Sequence, residues 1–375
     1  MLAQANSQFS RLESWPREPV RVQLGAGHRE MACCLLPGSE RNCQYLQMSV
    51  SSHISIFLQM RFLAVGLCGT ALFLTCCLLA PICRTQDLAP RAYLITPVHS
   101  NAVTLTYSFL DGSITFDGEV PITGATARFN VSVFNFSHSL NFFGRTANFL
   151  VSLPYSIGNF RGNVVGAETL AYRSGLLPAS LRFSVNLKGG PAMNAQEFIS
   201  WSQKTILGVS LKFVPLTGQY DPTKLINLGT NRWAFKPELG YSRRWDHWLL
   251  DGYGGAWFFT TNPEFFSRNQ FSPGTNTQSE APIGSFEGHL SYDFRTRLWV
   301  SLDANYWFGG ITSLNGVQSS GSLQRNSRVG LTASVPITRH QSIKISYNTG
   351  AYIRYGGNYQ NVSVAWQYSW LGRPN

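Results

Sequence analysis

Apolar and polar side chains alternate along this chain with a period of two, in segments too long for an ordinary soluble sheet. From residue 232 the odd positions read Trp233, Phe235, Pro237, Leu239 and Tyr241, and the even ones Arg232, Lys236, Glu238, Ser242 and Arg244. A β-strand sends successive side chains to opposite faces, so this stretch has one greasy and one charged face. Just upstream, Leu207, Val209, Leu211 and Phe213 alternate with Gly208, Ser210 and Lys212. A turn-rich loop over residues 216–230 separates the two.

Thirteen such segments can be counted from residue 103 to the C-terminus. Phe129, Val131 and Val133 form a greasy phase against Arg128, Asn130 and Ser132, and Leu181, Phe183, Val185 and Leu187 do so against Arg182, Ser184, Asn186 and Lys188. Residues 162–173 make a weaker strand. Most segments are roughly nine to thirteen residues long. A strand tilted across a bilayer needs about 9 to 11 residues, whereas soluble strands average about 5 to 6. Many polar phases carry charges in mid-strand, and aromatic residues sit at the ends of the apolar phases, as a polar lumen with outward aromatic girdles requires. Closure into a barrel also removes unpaired backbone from lipid. The pattern predicts an all-β fold, a closed antiparallel transmembrane β-barrel of the outer-membrane type.

Connection lengths point the same way. Short turns are expected at 139–141, 174–178, 246, 296 and 338–340, and long loops at 111–124, 189–203, 261–282 and 310–324. Outer-membrane barrels have short periplasmic turns and long external loops. The alternation slips once, and an odd count conflicts with the even number of bacterial barrels, so one strand between residues 174 and 245 is miscounted. Twelve strands are expected, with fourteen the alternative. The 216–230 loop is then either a large periplasmic turn or a hidden crossing.

All seven cysteines lie before residue 84, so the strand-rich remainder has neither a disulfide framework nor a thiolate metal site. Met60-Arg61 precedes an uncharged apolar run over 62–83, which reads as a secretory signal peptide at residues 60–85 cut before Gln86; a transmembrane helix is the alternative. Residues 1–59 lack periodicity and read as an unstructured or mistaken upstream extension. The barrel would occupy residues 86–375, in the cell outer membrane of a Gram-negative organism. Its partners would be outer-membrane lipid, the barrel-assembly machinery and a small-molecule solute. The formal net charge is +11. The basic residues are scattered singly through strands, without the clustered footprint that nucleic acid demands, so no nucleic-acid partner is expected.

Assigning each polar phase to the lumen gives the candidate site: Arg128, Arg182, Lys212, Arg232, Lys236, Glu238, Arg244, Asp251, Glu287, His289, Asp293, Asp303, Arg328 and Lys344. The acids come from sequential strands, which are neighbours in an up-and-down barrel. They would line one wall with most bases opposite, either as a field across a wet pore or as pairs that fill it. Tyr253, Trp299 and Trp307 fall in the lumen phase and could stack on phenyl-bearing solutes or pack loops. A second candidate is the loop motif Gln219, Tyr220, Asp221, Asn227 and Asn231. It either contacts solute or, as turn chemistry, holds its own backbone. His289 between Glu287 and Ser291 is the nearest approach to a general base. The chain has no HExxH, GxSxG or P-loop motif, and neither an enzyme activity, a metal site nor a cofactor is expected.

These residues also carry a resemblance. GQYDPTKLINLGTNRWAFKPELGYSRRW at 218–245 is similar to the hallmark of outer-membrane transporters named for the meta pathway of phenol degradation. DLAPRAYLITP at 87–97 resembles that family's mature start, and SVNLKGGPAM at 184–193, GHLSYDF at 288–294, SRVGLTASVP at 327–336 and VAWQYSW at 364–370 are similar as well. The chain departs from the pattern at GLLPASLR, residues 175–182, which lacks the Asp of a Gly-Asp-Pro turn, and at the five residues after Trp370. The resemblance implies a passive outer-membrane channel for small solutes, phenolic or other aromatic compounds among them. The alternative is a structural or adhesive barrel with a plugged lumen.

Overall fold

The computed structural model describes residues 89–115, 122–164, 167–269 and 273–372. The expected extension and signal peptide lie outside the described residues. After a coil segment come β1 (Ser100–Thr115), β2 (Ile122–Phe142), β3 (Arg145–Val164), β4 (Ala167–Leu176) and β5 (Ser180–Lys188). A short helix, α1 (Ala195–Ser200), precedes β6 (Thr205–Val214), β7 (Ala234–Trp245), β8 (Trp248–Phe259), β9 (Gln278–Glu280), β10 (Ile283–Arg295) and β11 (Leu298–Gly309). The chain ends with β12 (Thr312–Leu314), β13 (Val317–Gln318), β14 (Gln324–Pro336), β15 (Gln341–Ile353) and β16 (Gly356–Leu371). Antiparallel neighbours run in chain order, and β1 pairs with β16 from Ser100↔Leu371 to Thr115↔Gly356. The sheet is therefore closed, with no free edge across the bilayer, as the backbone requires in lipid.

The barrel has twelve staves because β4 and β5 are one of them. β3 pairs with β4 from Val164↔Ala167 to Tyr155↔Leu176, then with β5 from Ser152↔Ser180 to Ala147↔Val185. Residues 177–179 only interrupt the ladder. Pro178 has no N–H to give it, while Leu177 still donates to the Pro154 carbonyl at 3.0 Å. The turn expected at 174–178 is thus a break within a stave, and the weak strand at 162–173 straddles the hairpin between β3 and β4. Gly and Pro punctuate breaks and turns alike, so sequence could not separate them.

With twelve staves the alternation of ends is regular. Tight turns at 143–144, 246–247, 296–297 and 337–340 share one end with the start of β1 and the finish of β16. In an outer-membrane barrel the short-turn end faces the periplasm. Residues 189–203 lie at this end too, which corrects their assignment as an external loop. Conversely, residues 216–230 join β6 to β7 at the opposite end, so they are neither a periplasmic turn nor a crossing. The loops after β8 and β11 also lie there, and their β9, β12 and β13 form a small separate sheet.

The greasy phase faces outward along most staves: Leu239, Leu302 and Leu331 are about two-thirds exposed, at 68%, 58% and 60%. Their neighbours in sequence, Glu238, Ser301, Asp303 and Thr332, turn inward. On β1–β3 the phase inverts part-way along. Leu105, Tyr107 and Phe109 are outward and exposed, and then Leu110 and Ile114 are buried inside. Likewise Phe129 and Val131 point inward while Phe134, further down β2, points outward. These long strands leave the bilayer at their outer ends, where the outside becomes water and the inside becomes a packed core. Leu110, Ile114, Ala125, Ala127, Phe129, Val131, Phe160 and Tyr359 form that core. Arg128 is therefore not in the lumen. It sits exposed on the outer surface and pairs with Asp111 at 2.7 Å.

Candidate functional site

The inside of the barrel is occupied by the segment that precedes β1. Tyr93 and Ile95 are each 1% exposed. Gly208 and Gly240 stand directly opposite one another on β6 and β7. Together they leave a notch in the wall in which the Tyr93 ring lies, and a Cβ on Gly208 would come within 2.3 Å of that ring. No side chain but hydrogen fits at that approach. The Tyr93 hydroxyl lies 3.0 Å from Ser210 Oγ and donates to Glu238 Oε1 at 3.1 Å. Arg182 stacks its guanidinium 4.8 Å from the Tyr93 ring centre and donates to the Ala92 carbonyl. Asn186 donates to the Tyr93 carbonyl, and the Ala92 N–H donates to the Tyr253 hydroxyl.

Arg91 anchors the tip of this segment. It adopts a left-handed backbone, φ 68°, a conformation uncommon outside glycine. Its N–H donates to Asp251 and its guanidinium to Asp293 at 2.8 Å, lying 4.2 Å over the Trp299 ring. From the periplasmic end the 189–203 connection closes behind it. Met193 packs with Tyr93, Ile95, Ile206 and Tyr253, supported by Phe198 and Trp201. A capping box at Asn194 and Glu197 starts α1 and so fixes this loop.

Most of the inward charges are paired at close range. Lys236 Nζ lies 2.7 Å from Glu238 and 2.9 Å from Glu287, and Arg182 reaches Glu238 at 3.2 Å. Arg244 shares Asp293 with Arg91. Arg232 pairs with Glu280, both fully buried. His289 Nδ1 lies 2.8 Å from Asp303, which also accepts from Ser301 and Thr332. Lys212 approaches the Trp257 ring, and Lys344 turns inward on β15. The acids do share the β7–β11 wall. However, most bases that meet them stand on the same wall or its neighbours, not across a pore, so the charges neutralise one another locally. Buried ions survive in this way only when geometry and hydrogen bonds repay their lost hydration.

The loop motif does turn chemistry. Asp221 accepts from the Thr223 N–H and hydroxyl and pairs with Lys224, while Asn227 and the Asp221 backbone bond each other reciprocally. Short-range hydrogen bonds hold the acid well below the usual carboxylate range, at about 2. Tyr220 donates to the Glu264 carbonyl and accepts from Asn262, which also accepts from Asn231. The Gln219 N–H donates to the Leu176 carbonyl beside the break between β4 and β5. The five residues thus clasp the 216–230 loop to β4 and to the loop after β8.

The sequence matches the model of the family described as "Putative MetA-pathway of phenol degradation" over residues 111–359. The chain belongs to this family. Its fold is similar to that of the crystal structure of an outer membrane channel from Pseudomonas putida F1, with a TM-score of 0.63 and 15% identity, covering 76% of this chain and 100% of that one. The transport unit of the autotransporter AIDA-I from Escherichia coli is a more distant likeness, with a TM-score of 0.44 and 11% identity over 80% of this chain and 99% of that one. No curated protein matches the chain.

Within this family member, the structure draws Arg182, Lys236, Glu238, Arg244, Asp251, Glu287 and Asp293 around the segment that precedes β1 or its immediate supports. Two of the three lumen-phase aromatics serve that segment as well: Tyr253 bonds and packs against it, and Trp299 carries Arg91. The hydroxyls that join the His289–Asp303 pair, Ser301 and Thr332, donate to Asp303, and among the described residues none is hydrogen-bonded to the imidazole, as a nucleophile relay would need. The residues that sequence reasoning passed over are Arg91, Tyr93, Gly208 and Gly240. Two glycines in lumen phase on neighbouring strands were a visible signal, but only register shows them to be opposite.

Proposed function

We propose that this protein is a passive outer-membrane channel for small solutes, phenolic or other aromatic compounds among them, gated by its own N-terminal segment. One observation carries the reading. The lumen is occupied by a short strand-free segment which, beside a small apolar cluster around Tyr93 and Ile95, is held by hydrogen bonds and ion pairs that water can replace. Family membership and the outer-membrane-type fold support the same reading, and the phenol-degradation association of the family points to aromatic solutes. The barrel would be delivered to the outer membrane by the assembly machinery and would sit in lipid through the exposed Leu, Val and aromatic band.

The second reading is a structural barrel without transport. The local pairing of the interior charges favours it. Liposome swelling with sugars and with phenolic solutes separates the two. Flux of phenolics supports the channel; no flux for any solute, with or without the N-terminal segment, supports the structural barrel.

A further inference from the structure

Among the described residues the barrel buries three Lys or Arg side chains: Arg232, Lys236 and Arg328. Arg232 and Lys236 have carboxylate partners. Arg328, on the inward face of β14 and 5% exposed, has no carboxylate partner among the described residues. Its side-chain hydrogen bond runs from Nη1 to the neutral Asn348 at 3.3 Å, and its Nε is buried with no partner. A buried cation without a counter-charge is costly unless an anion or water meets it.

The surroundings repeat the same deficit. Asn305 stands opposite Arg328 on β11, is 3% exposed, and has neither amide atom partnered. Opposite residues on one face of a sheet have Cβ atoms about 5 Å apart, so guanidinium and amide share one site. Asn361 on β16, opposite Asn348, has its own carbonyl oxygen buried and unpartnered. The nearest acid by register, Asp303, lies diagonally on β11 and is committed to His289, Ser301 and Thr332, and Glu287, a further strand away, is committed to Lys236. Two large rings flank this amide belt. Trp307 lies two residues along the face from Asn305, and Tyr359, two residues along β16 from Asn361, packs edge-on against Phe129 at 5.1 Å.

We propose that Arg328, with Asn305 beside it, binds the carboxylate of a small aromatic acid inside the barrel. The Nε edge of a guanidinium, with its neighbouring Nη, fits a carboxylate through two parallel hydrogen bonds, a geometry that a spherical ion cannot use. Asn305 adds a donor, and the ring of the ligand meets Trp307 or Tyr359. As a step in transport the site rests on the channel reading; as a binding site it stands without it.

The test is calorimetric titration of the full protein in detergent with sodium benzoate, benzyl alcohol and sodium chloride. Benzoate binds the wild-type protein, and Arg328→Gln weakens it at least about tenfold, the usual worth of a charged hydrogen bond. Arg328→Lys recovers only part, and benzyl alcohol shows no difference among the three proteins. Asn305→Leu, which leaves the charge in place, weakens benzoate severalfold and serves if Arg328→Gln does not assemble. Benzoate that fails to bind wild type, binds Arg328→Gln equally, or is displaced by equimolar chloride overturns the proposal. Binding of benzoate by a protein that never conducts keeps the site and removes the channel.

Discussion

Gly240 lies so close beneath Tyr93 that a Cβ there would come within 2.1 Å of the ring. A larger residue must therefore expel the ring or distort β7. Overpacking of this kind costs roughly 1–3 kcal/mol, and the ring belongs to a strand-free segment, not to the barrel wall. Gly240→Val is expected to leave the barrel intact and to release the segment. Trypsin should then cut after Arg91 in the variant and not in the wild type.

The inversion of faces on β1–β3 predicts where lipid ends. Leu302→Arg places a charge on the lipid face and should destabilise by roughly 2–4 kcal/mol near the midplane. Asn130→Arg, beyond the inversion on β2, should be close to neutral, because that outward face already carries Arg128 and Ser132. Urea unfolding in liposomes compares them. Equal losses would mean that the bilayer reaches further up β2 than the side chains imply.

Arg232 and Glu280 form a fully buried pair that Gln324 extends at 3.3 Å. Removing one partner should be worse than removing both. Arg232→Met leaves Glu280 buried and is expected to cost roughly 3–5 kcal/mol, most of it recovered in the Arg232→Met/Glu280→Leu double variant. The temperature at which the folded band is lost on an electrophoretic gel reads both.

Asp221 gives the outer loop its acid limit. Its folded pKa, about 2, is below the ordinary 3.8. Its contribution is thus fully present above pH 3.8 and is lost as the pH falls through 2, since protonation ends the bonds from Thr223 and Lys224. Pepsin cleavage within residues 216–230 should be slow at pH 4 and rise towards pH 2. In Asp221→Asn it should be fast already at pH 4.

Period-two alternation made the barrel and the inward phase of β7 and β10 legible, because lipid outside and a polar lumen inside impose opposite chemistry on adjacent residues; alternation itself counted thirteen segments, and the even count came from the rule for bacterial barrels. Arg128 was misplaced for the same reason: the rule reverses where a strand leaves the membrane, and alternation alone carries no mark of depth. The Pro178 break looked like a turn because a proline interrupts the ladder in both. The N-terminal segment has no periodicity, and its meaning lies in partners more than a hundred residues away, such as Ser210, Glu238 and Asp251. Such contacts depend on register and closure, which local pattern does not encode.

Single-channel recording in planar bilayers tests the central claim most directly. The wild-type protein should be closed for most of the time, with rare conductance steps. The Arg91→Ala/Tyr93→Ala variant, which loses the Asp293 pair and the ring in its notch, should open frequently to the same step size or larger. A folded variant as silent as the wild type would contradict a lumen gated by its own N-terminal segment.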